Sequence, residues 1–220
     1  RAQDLASLER RCAEAREQFD AAAAALSAGR RKVARKLSEG VSALLGELGM
    51  GGTRLEIALD PCPPSASGTD SVEFRIAGHA SGTARPLARV ASGGELSRIG
   101  LAIAVLAAQS NPAPTLIFDE ADAGVGGAVA EVIGNLMRKL GASRQVLCVT
   151  HLPQVAAQAA AHLVVRKDQS GERAIVSIGP LHGDRKARVA ELARMLGDSK
   201  GRSALAHATE LLGGPRRAGG

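Results

Sequence analysis

The sequence predicts an α/β fold, with central parallel strands and flanking helices, preceded by a helical arm. Three observations carry this reading. APTLIFDE (113–120), a helical stretch over 128–140 and QVLCVTH (145–151) follow one another as strand, helix and strand. That order makes two buried strands parallel and central through a right-handed crossover. Leu5, Leu8, Cys12, Ala15, Phe19, Ala22 and Leu26 recur at steps of three and four, as the a/d seam of a heptad does. TRLEIALD (53–60) and VEFRIAG (72–78) alternate apolar and polar residues, the pattern of half-buried strands.

Taken in order, the heptad segment is either an arm of a coiled coil or one amphipathic helix packed on a domain. No second heptad segment occurs in this chain, so a coiled coil needs a partner from elsewhere. Gly29 interrupts the pattern, and RRKVARK (30–36) opens a second helix with Val33, Leu37, Val41, Leu44 and Leu48 on its apolar face. This helix should end at the Gly49–Gly52 cluster. Its basic run reads first as a solvated face and second as a contact for phosphate backbones. PCPPSASGTD reads as an exposed loop closing an antiparallel hairpin. A helix over 95–109 follows, with Leu96, Ile99, Ile103 and Leu106 as its stripe. The helix over 128–140 carries Val129, Ile133, Leu136 and Leu140, and Pro153 restarts a helix after the second parallel strand. HLVVRK (162–167) and AIVSIG (174–179) form a second hairpin. Helices over 184–196 and 202–212 complete the fold, and GGPRRAGG is a flexible tail.

Composition narrows the function. Apolar residues make up 45% of the 220, but aromatics only 1%, so the core is built from Leu, Val, Ile and Ala. Three Phe and no Tyr or Trp leave little for a surface that stacks bases. A formal charge of +6 favours polyanionic partners weakly. Cys12, Cys62 and Cys148 are scattered and odd in number, making neither a disulfide framework nor a metal motif, which suits a reducing compartment. No apolar run is long enough to span a membrane. The chain opens on Arg inside a helical pattern, as a processed chain or a piece of a longer one would.

Three short features carry chemistry. In VASGGELSRIGLAIAVLA (90–107), Ser92 and Glu95 have the spacing of a capping box. Gly93 and Gly94 exceed what a cap requires. Lacking Cβ atoms, they let another surface approach the backbone, so this is either an ordinary capped helix or a helix end facing an anion. In TLIFDEAD, Asp119 and Glu120 stand where a strand runs out at its carboxyl edge, the place where α/β sheets hold ligands. A lone acidic pair there more often just meets solvent. As a site, one carboxylate would support Mg²⁺ and the other would orient or deprotonate water. In CVTHLPQVA, Thr150 and His151 end the next parallel strand and emerge at the same edge, where a histidine can bond a phosphate or position water.

Together these segments resemble the ABC-type ATPases, in the form used by the chromosome-maintenance and DNA-repair branch. VASGGELSRIGLAIA resembles the signature motif, TLIFDEADAGVGG the Walker B motif and D-loop, and CVTHLPQVAAQAAAHLVVRK the switch-histidine segment. The resemblance covers almost the whole chain and is strong over 87–197. It implies the signature-bearing lobe of a split ATPase head (29–212), preceded by the end of a coiled-coil arm (1–28) and followed by a flexible tail (213–220). It implies roles as well. Ser92, Gly93, Gly94 and Glu95 would meet ATP held by an opposite head; Asp119 would support Mg²⁺, through water; Glu120 would be the catalytic carboxylate and His151 the switch histidine.

Two departures stand out. Gly126 occupies the position where related chromosome-maintenance ATPases carry a D-loop aspartate, and nothing matches the phosphate-cradling loop G-x-x-x-x-G-K-[ST]. GDSKGRS (197–203) lacks both the lysine placement and the preceding strand. The resemblance therefore implies an ATPase of DNA double-strand break repair, inactive alone and completed by an N-terminal Walker A lobe. ATP would be sandwiched between the heads of a homodimer in the cytoplasm, at the nucleoid. No base-reading motif is visible, so DNA contacts would go to phosphates without sequence preference. Two other readings remain: a non-catalytic assembly lobe, against which Glu120 and His151 weigh, and a transporter ATPase lobe, against which the heptads weigh.

Overall fold

The computed structural model describes residues 2–78, 82–89, 93–108, 113–168, 175–181 and 183–213. The chain divides into two compact units: Arg1–Gly46 with Met50–Val90, and Glu47–Gly49 with Ala91–Gly220.

The first unit begins with helix α1, Ala2–Glu47, which runs unbroken through Gly29. The expected interruption at Gly29 does not occur in the backbone. One helical glycine costs about 1 kcal/mol relative to alanine, and the alanines before it and Arg30–Lys36 after it are good helix formers that absorb this. The burial pattern also departs from expectation. Val41 and Leu48 are fully buried as expected, but Leu37 and Leu44 are half-buried and Val33 is 63% exposed, while Ala34 and Leu45 take buried positions. Along the heptad seam Leu5, Leu8, Cys12 and Leu26 are exposed.

α1 ends as the glycine cluster requires. Gly49 is left-handed at φ 75°, and the Met50 N–H donates to the Leu45 carbonyl at 2.9 Å, the six-to-one bond of a Schellman motif. Strands β1 (Arg54–Ser65) and β2 (Gly68–Ala77) form a long antiparallel hairpin, extended by β3 (Arg85–Pro86). Most of PCPPSASGTD is therefore strand, with an irregular register between Pro61 and Ser65 and only Ala66 and Ser67 between the strands. Prolines are tolerated here as on sheet edges and bulges. Ser42 ties helix to hairpin by accepting the Leu55 N–H at 3.0 Å, and Asp70 accepts from Ser27 at 2.5 Å and Arg30 at 3.3 Å.

The second unit holds the parallel strands. Helix α2 spans Gly93–Leu106, β4 Thr115–Phe118, α3 Gly127–Gly141 and β5 Gln145–Cys148. β4 and β5 pair in parallel from Thr115–Gln145 to Phe118–Cys148, as the strand–helix–strand order demands. α4 (Pro153–Ala157) starts at Pro153, β6 (Leu163–Asp168) and β7 (Ile175–Pro180) pair antiparallel, and α5 (Arg185–Met195) and α6 (Arg202–Gly213) close the unit. The buried face of α3 carries Ile133, Leu136 and Leu140, and a small core joins Ala156 to Leu192, Ala193 and Ala208.

Two expectations fail in an instructive way. The parallel strands are not buried on both faces: Ile117 is 70% exposed, Val149 64% and Leu147 45%. On α2 the buried set is Gly94, Arg98, Ile99, Leu101, Ala102 and Ala104. Leu96 and Leu106, which the periodicity assigns to the core, are exposed. An open apolar groove of about 400 Å³ lies along Leu96, Gly100, Ile103, Ile117 and Phe118. Because α2 is apolar around most of its circumference, periodicity alone cannot select its inner face.

Candidate functional site

The carboxyl ends of β4 and β5 build the candidate site. Phe118 is the last paired residue of β4, and its carbonyl accepts the Val149 N–H at 3.0 Å. The chain then turns. Glu120 takes a left-handed conformation, φ 56°, a rare state for a residue with a side chain and one that clusters at functional turns. The turn closes through the Ala123 N–H, which donates to the Glu120 carbonyl at 3.0 Å. Asp119 and Glu120 are both exposed at this edge, while Asp122, two residues on, is only 2% exposed.

α2 holds the turn from its N-terminal end. The Ser97 hydroxyl donates to the Asp119 carbonyl at 2.6 Å, and buried Arg98 donates from Nη1 to the Ala123 carbonyl at 2.9 Å. The glycine pair fits against the same turn. A Cβ on Gly94 would lie 3.1 Å from Ala123 Cβ and 3.2 Å from the Glu120 carbonyl oxygen. A Cβ on Gly93 would lie 2.8 Å from Glu120 Oε2. The close approach that these glycines permit is thus already used inside the chain. The surface they admit is the chain's own Glu120 turn, where the sequence predicts an outside one. Glu95 is half-buried in the first turn of α2. Ser92, and with it the expected capping box, lies outside the described residues, as do the end of the expected helix at 109 and the tail beyond 213.

β5 brings His151 to the same edge. Asp122 meets it there: one oxygen, Oδ2, accepts from the Thr150 hydroxyl and from the His151 backbone N–H at 3.3 Å, and lies 3.5 Å from His151 Nδ1. The Thr150 hydroxyl oxygen also accepts the Leu152 N–H at 3.0 Å, which bends the chain toward α4. The imidazole itself is 71% exposed. Asp122 escaped the sequence reading although it stands within TLIFDEAD. The only available signal was a third acid two residues after Glu120, and alternation along an extended chain would have pointed it away from Asp119. On the strand before it, burial pushes the Cys148 thiol up to about 12, helped by the charges of Asp122 and Asp119.

Gly126, at the position the resemblance equates with a D-loop aspartate, is the N-cap of α3 in an extended conformation (φ −86°, ψ 171°), and a Cβ there would meet nothing within 4 Å. Its backbone does not require glycine. Among the described residues no group of three or more His, Cys, Asp or Glu side chains could hold a metal ion.

Known proteins resemble this chain strongly in sequence. It is 44% identical over 199 residues to the DNA repair protein RecN of Xylella fastidiosa, an alignment covering 88% of this chain and 35% of that protein. RecN of Mycobacterium tuberculosis is 43% identical, across 94% of this chain and 38% of the relative. This chain is homologous to RecN. It spans about a third of the length of the curated RecN relatives it matches. No family profile matches the RecN-related chain. Its fold is similar to part of a solved Smc head: a crystal structure of the Smc head domain with a coiled coil and joint from Pyrococcus yayanosii aligns at a TM-score of 0.51. That alignment has 18% identity and covers 94% of this chain and 38% of that one. No described helix is long and apolar enough to cross a membrane.

Proposed function

We propose that this chain is the signature-bearing lobe of an ATP-hydrolysing head in a DNA repair protein, completed by a Walker A lobe that the RecN relatives' greater length can accommodate. The observation that carries the reading is the shared edge of β4 and β5, where exposed Asp119 and Glu120 stand beside a histidine tethered by a buried carboxylate. In this reading Glu120 accepts the proton of the attacking water, as its exposed carboxylate at a turn permits. His151 presents its outer nitrogen to the terminal phosphate or to that water. Exposed Gly93, with Gly94 packed behind it on the Glu120 turn, leaves the N-terminal end of α2 open to the triphosphate of an opposite head, the role the signature resemblance implies for Ser92 as well.

Magnesium fits this donor set. An exposed carboxylate at Asp119, outside any cluster of three or more candidate ligands among the described residues, suits a cation that keeps its waters and shares substrate phosphates. Held there, such an ion would supply positive charge against the charge that develops on a transferring phosphoryl group. The exposed faces of Ile117, Leu147 and Val149 are where the missing lobe would cover the sheet. The same reading includes a homodimer with ATP between its heads, DNA held through phosphates without base recognition, and a nucleoid location.

The test is reconstitution. Alone, the chain should hydrolyse ATP at background level, because the β-phosphate cradle is absent. Joined to a Walker A-bearing lobe, it should bind ATP with Mg²⁺ and turn it over. A complete head that binds ATP without hydrolysing it would favour the assembly-lobe reading instead. Stoichiometric micromolar ATP binding by the chain alone would overturn the split-head assignment.

A further inference from the structure

We infer that Asp122 is the positioning residue of His151, its buried carboxylate anchoring the histidine's main chain and turning Nδ1 inward so that Nε2 faces out from the sheet edge. For its consequence in turnover the inference rests on the ATPase reading; for its geometry it does not.

Asp122 is 2% exposed, and among the described residues no lysine or arginine pairs with it. A carboxylate in such a place is costly unless its oxygens are satisfied. Its partners all come from the end of β5: the Thr150 hydroxyl, the His151 N–H at 3.3 Å, and Nδ1 at 3.5 Å. An asparagine amide oxygen could accept the first two bonds as well, more weakly than a carboxylate. Of the three partners, only the imidazole has a tautomer for the charge to select. That separates a role in holding the loop from a role in orienting the ring.

The ring needs orienting. At 71% side-chain exposure, His151 would otherwise sample several rotamers and both neutral tautomers. An inward Nδ1–H facing Asp122 Oδ2 fixes the tautomer and leaves Nε2 as the outward group, the logic by which a buried acid orients a working histidine. Asp122 also sits in the turn that follows Glu120. The acid that would handle water and the histidine that would meet phosphate are therefore held by one short segment, with their spacing set before any ligand arrives.

Two measurements on Asp122→Asn test this. The first uses the chain as it is, with ¹⁵N-labelled histidine, and reads the tautomer of His151 from its ring nitrogen shifts. The parent should hold the proton on Nδ1, and the variant should shift toward Nε2–H while melting within a few degrees of the parent. Identical ring spectra would overturn the inference, whatever the enzyme does. The second uses a reconstituted head. Asp122→Asn should lower kcat about 10- to 100-fold, as for other histidines that lose an orienting partner, with KM for ATP within about twofold. Combined with His151→Ala, it should add nothing to the loss caused by His151→Ala alone. Losses that multiply, or an equal fall in kcat from Thr150→Val, would assign Asp122 a structural role only. A parent head that hydrolyses nothing would defeat the ATPase reading and leave the tautomer measurement to decide on Asp122.

Discussion

The antiparallel hairpin β1–β2 and the parallel pair β4–β5 present their surfaces in opposite ways. On the hairpin, Leu55, Ile57 and Leu59 face Ile76, Phe74 and Val72 on one side, and only Val72 among them is exposed. Its other side carries an ion cluster in which Arg75 meets Asp60 at 2.7 Å and Glu73 at 2.6 Å. That is a sheet with one face for the core and one for water. The parallel pair has Phe118 and half-buried Leu116, Val146 and Cys148 on its inner face, while Ile117, Leu147 and Val149 stand bare on the outer. β6 and β7 are similarly bare at Val165 and Ile178, which pair directly. Parallel strands are normally covered on both faces, so the bare outer face of this pair is the unusual one, and in the proposed reading it is where a second lobe packs. The candidate site lies at the carboxyl edge of this pair.

If that edge is where water is activated, the largest expected effect belongs to Glu120→Gln. In a complete head it should keep ATP binding and lose about 10²- to 10⁴-fold in turnover, measured by steady-state phosphate release. Near-normal turnover would break the link between this edge and the chemistry. The inner face of the same pair makes a reactivity prediction. With its thiol at about 12, Cys148 has a thiolate fraction of roughly 10⁻⁴ at pH 8, about a thousandfold below an unperturbed cysteine. Alkylation of Cys148, followed by mass spectrometry, should therefore be slow at pH 8 and accelerate about tenfold per pH unit up to about 12. Fast labelling at pH 8 would mean that the inner face is open as well.

The outer face is tested by Ile117→Asp. An exposed position should leave the melting temperature of the chain almost unchanged, yet binding of the Walker A lobe should weaken about 10- to 100-fold. Losing the burial of one isoleucine costs about 1.5–3 kcal/mol, and each 1.4 kcal/mol is about tenfold in affinity. A matching change at Glu73 on the hairpin should leave that affinity alone, and calorimetry on both variants sharpens the contrast. Gly94→Ala should destabilise the second unit by about 1–3 kcal/mol, because the new methyl meets Ala123 and the Glu120 carbonyl, which are not free to move. Gly93→Ala should cost less, since the flexible end of Glu120 can swing aside. Chemical denaturation orders the two. The smallest effect is a gain: Gly126→Asp places a good cap on α3 in open space and should add a few tenths of a kcal/mol, read as a slightly higher midpoint.

Much of this was legible from residue order. The strand–helix–strand spacing predicts the parallel β4–β5 pairing, and the same spacing places Asp119, Glu120 and His151 at one sheet edge. Hydrophobic periodicity worked where one face alone is apolar, as on α3. It failed on α2, where Leu96 and Leu106 are as apolar as the residues that are buried, and at Gly29, where a local helix penalty was too small to stop α1. The proline-rich link misled for a related reason. Turn-forming residues in PCPPSASGTD were outweighed by the pairing of the strands that they extend.

By itself the sequence determined what depends on neighbours along the chain: strand and helix order, the Gly49 helix stop, and the chemical types at the candidate site. Tertiary structure alone decided what depends on approach through space. It drew Asp122 into a buried position under His151, put the Glu120 turn against Gly93 and Gly94, and left one face of the parallel pair uncovered. Burial and hydrogen-bond partnership are sums over residues distant in sequence, here 28 positions apart for Asp122 and Thr150. No local pattern carries them.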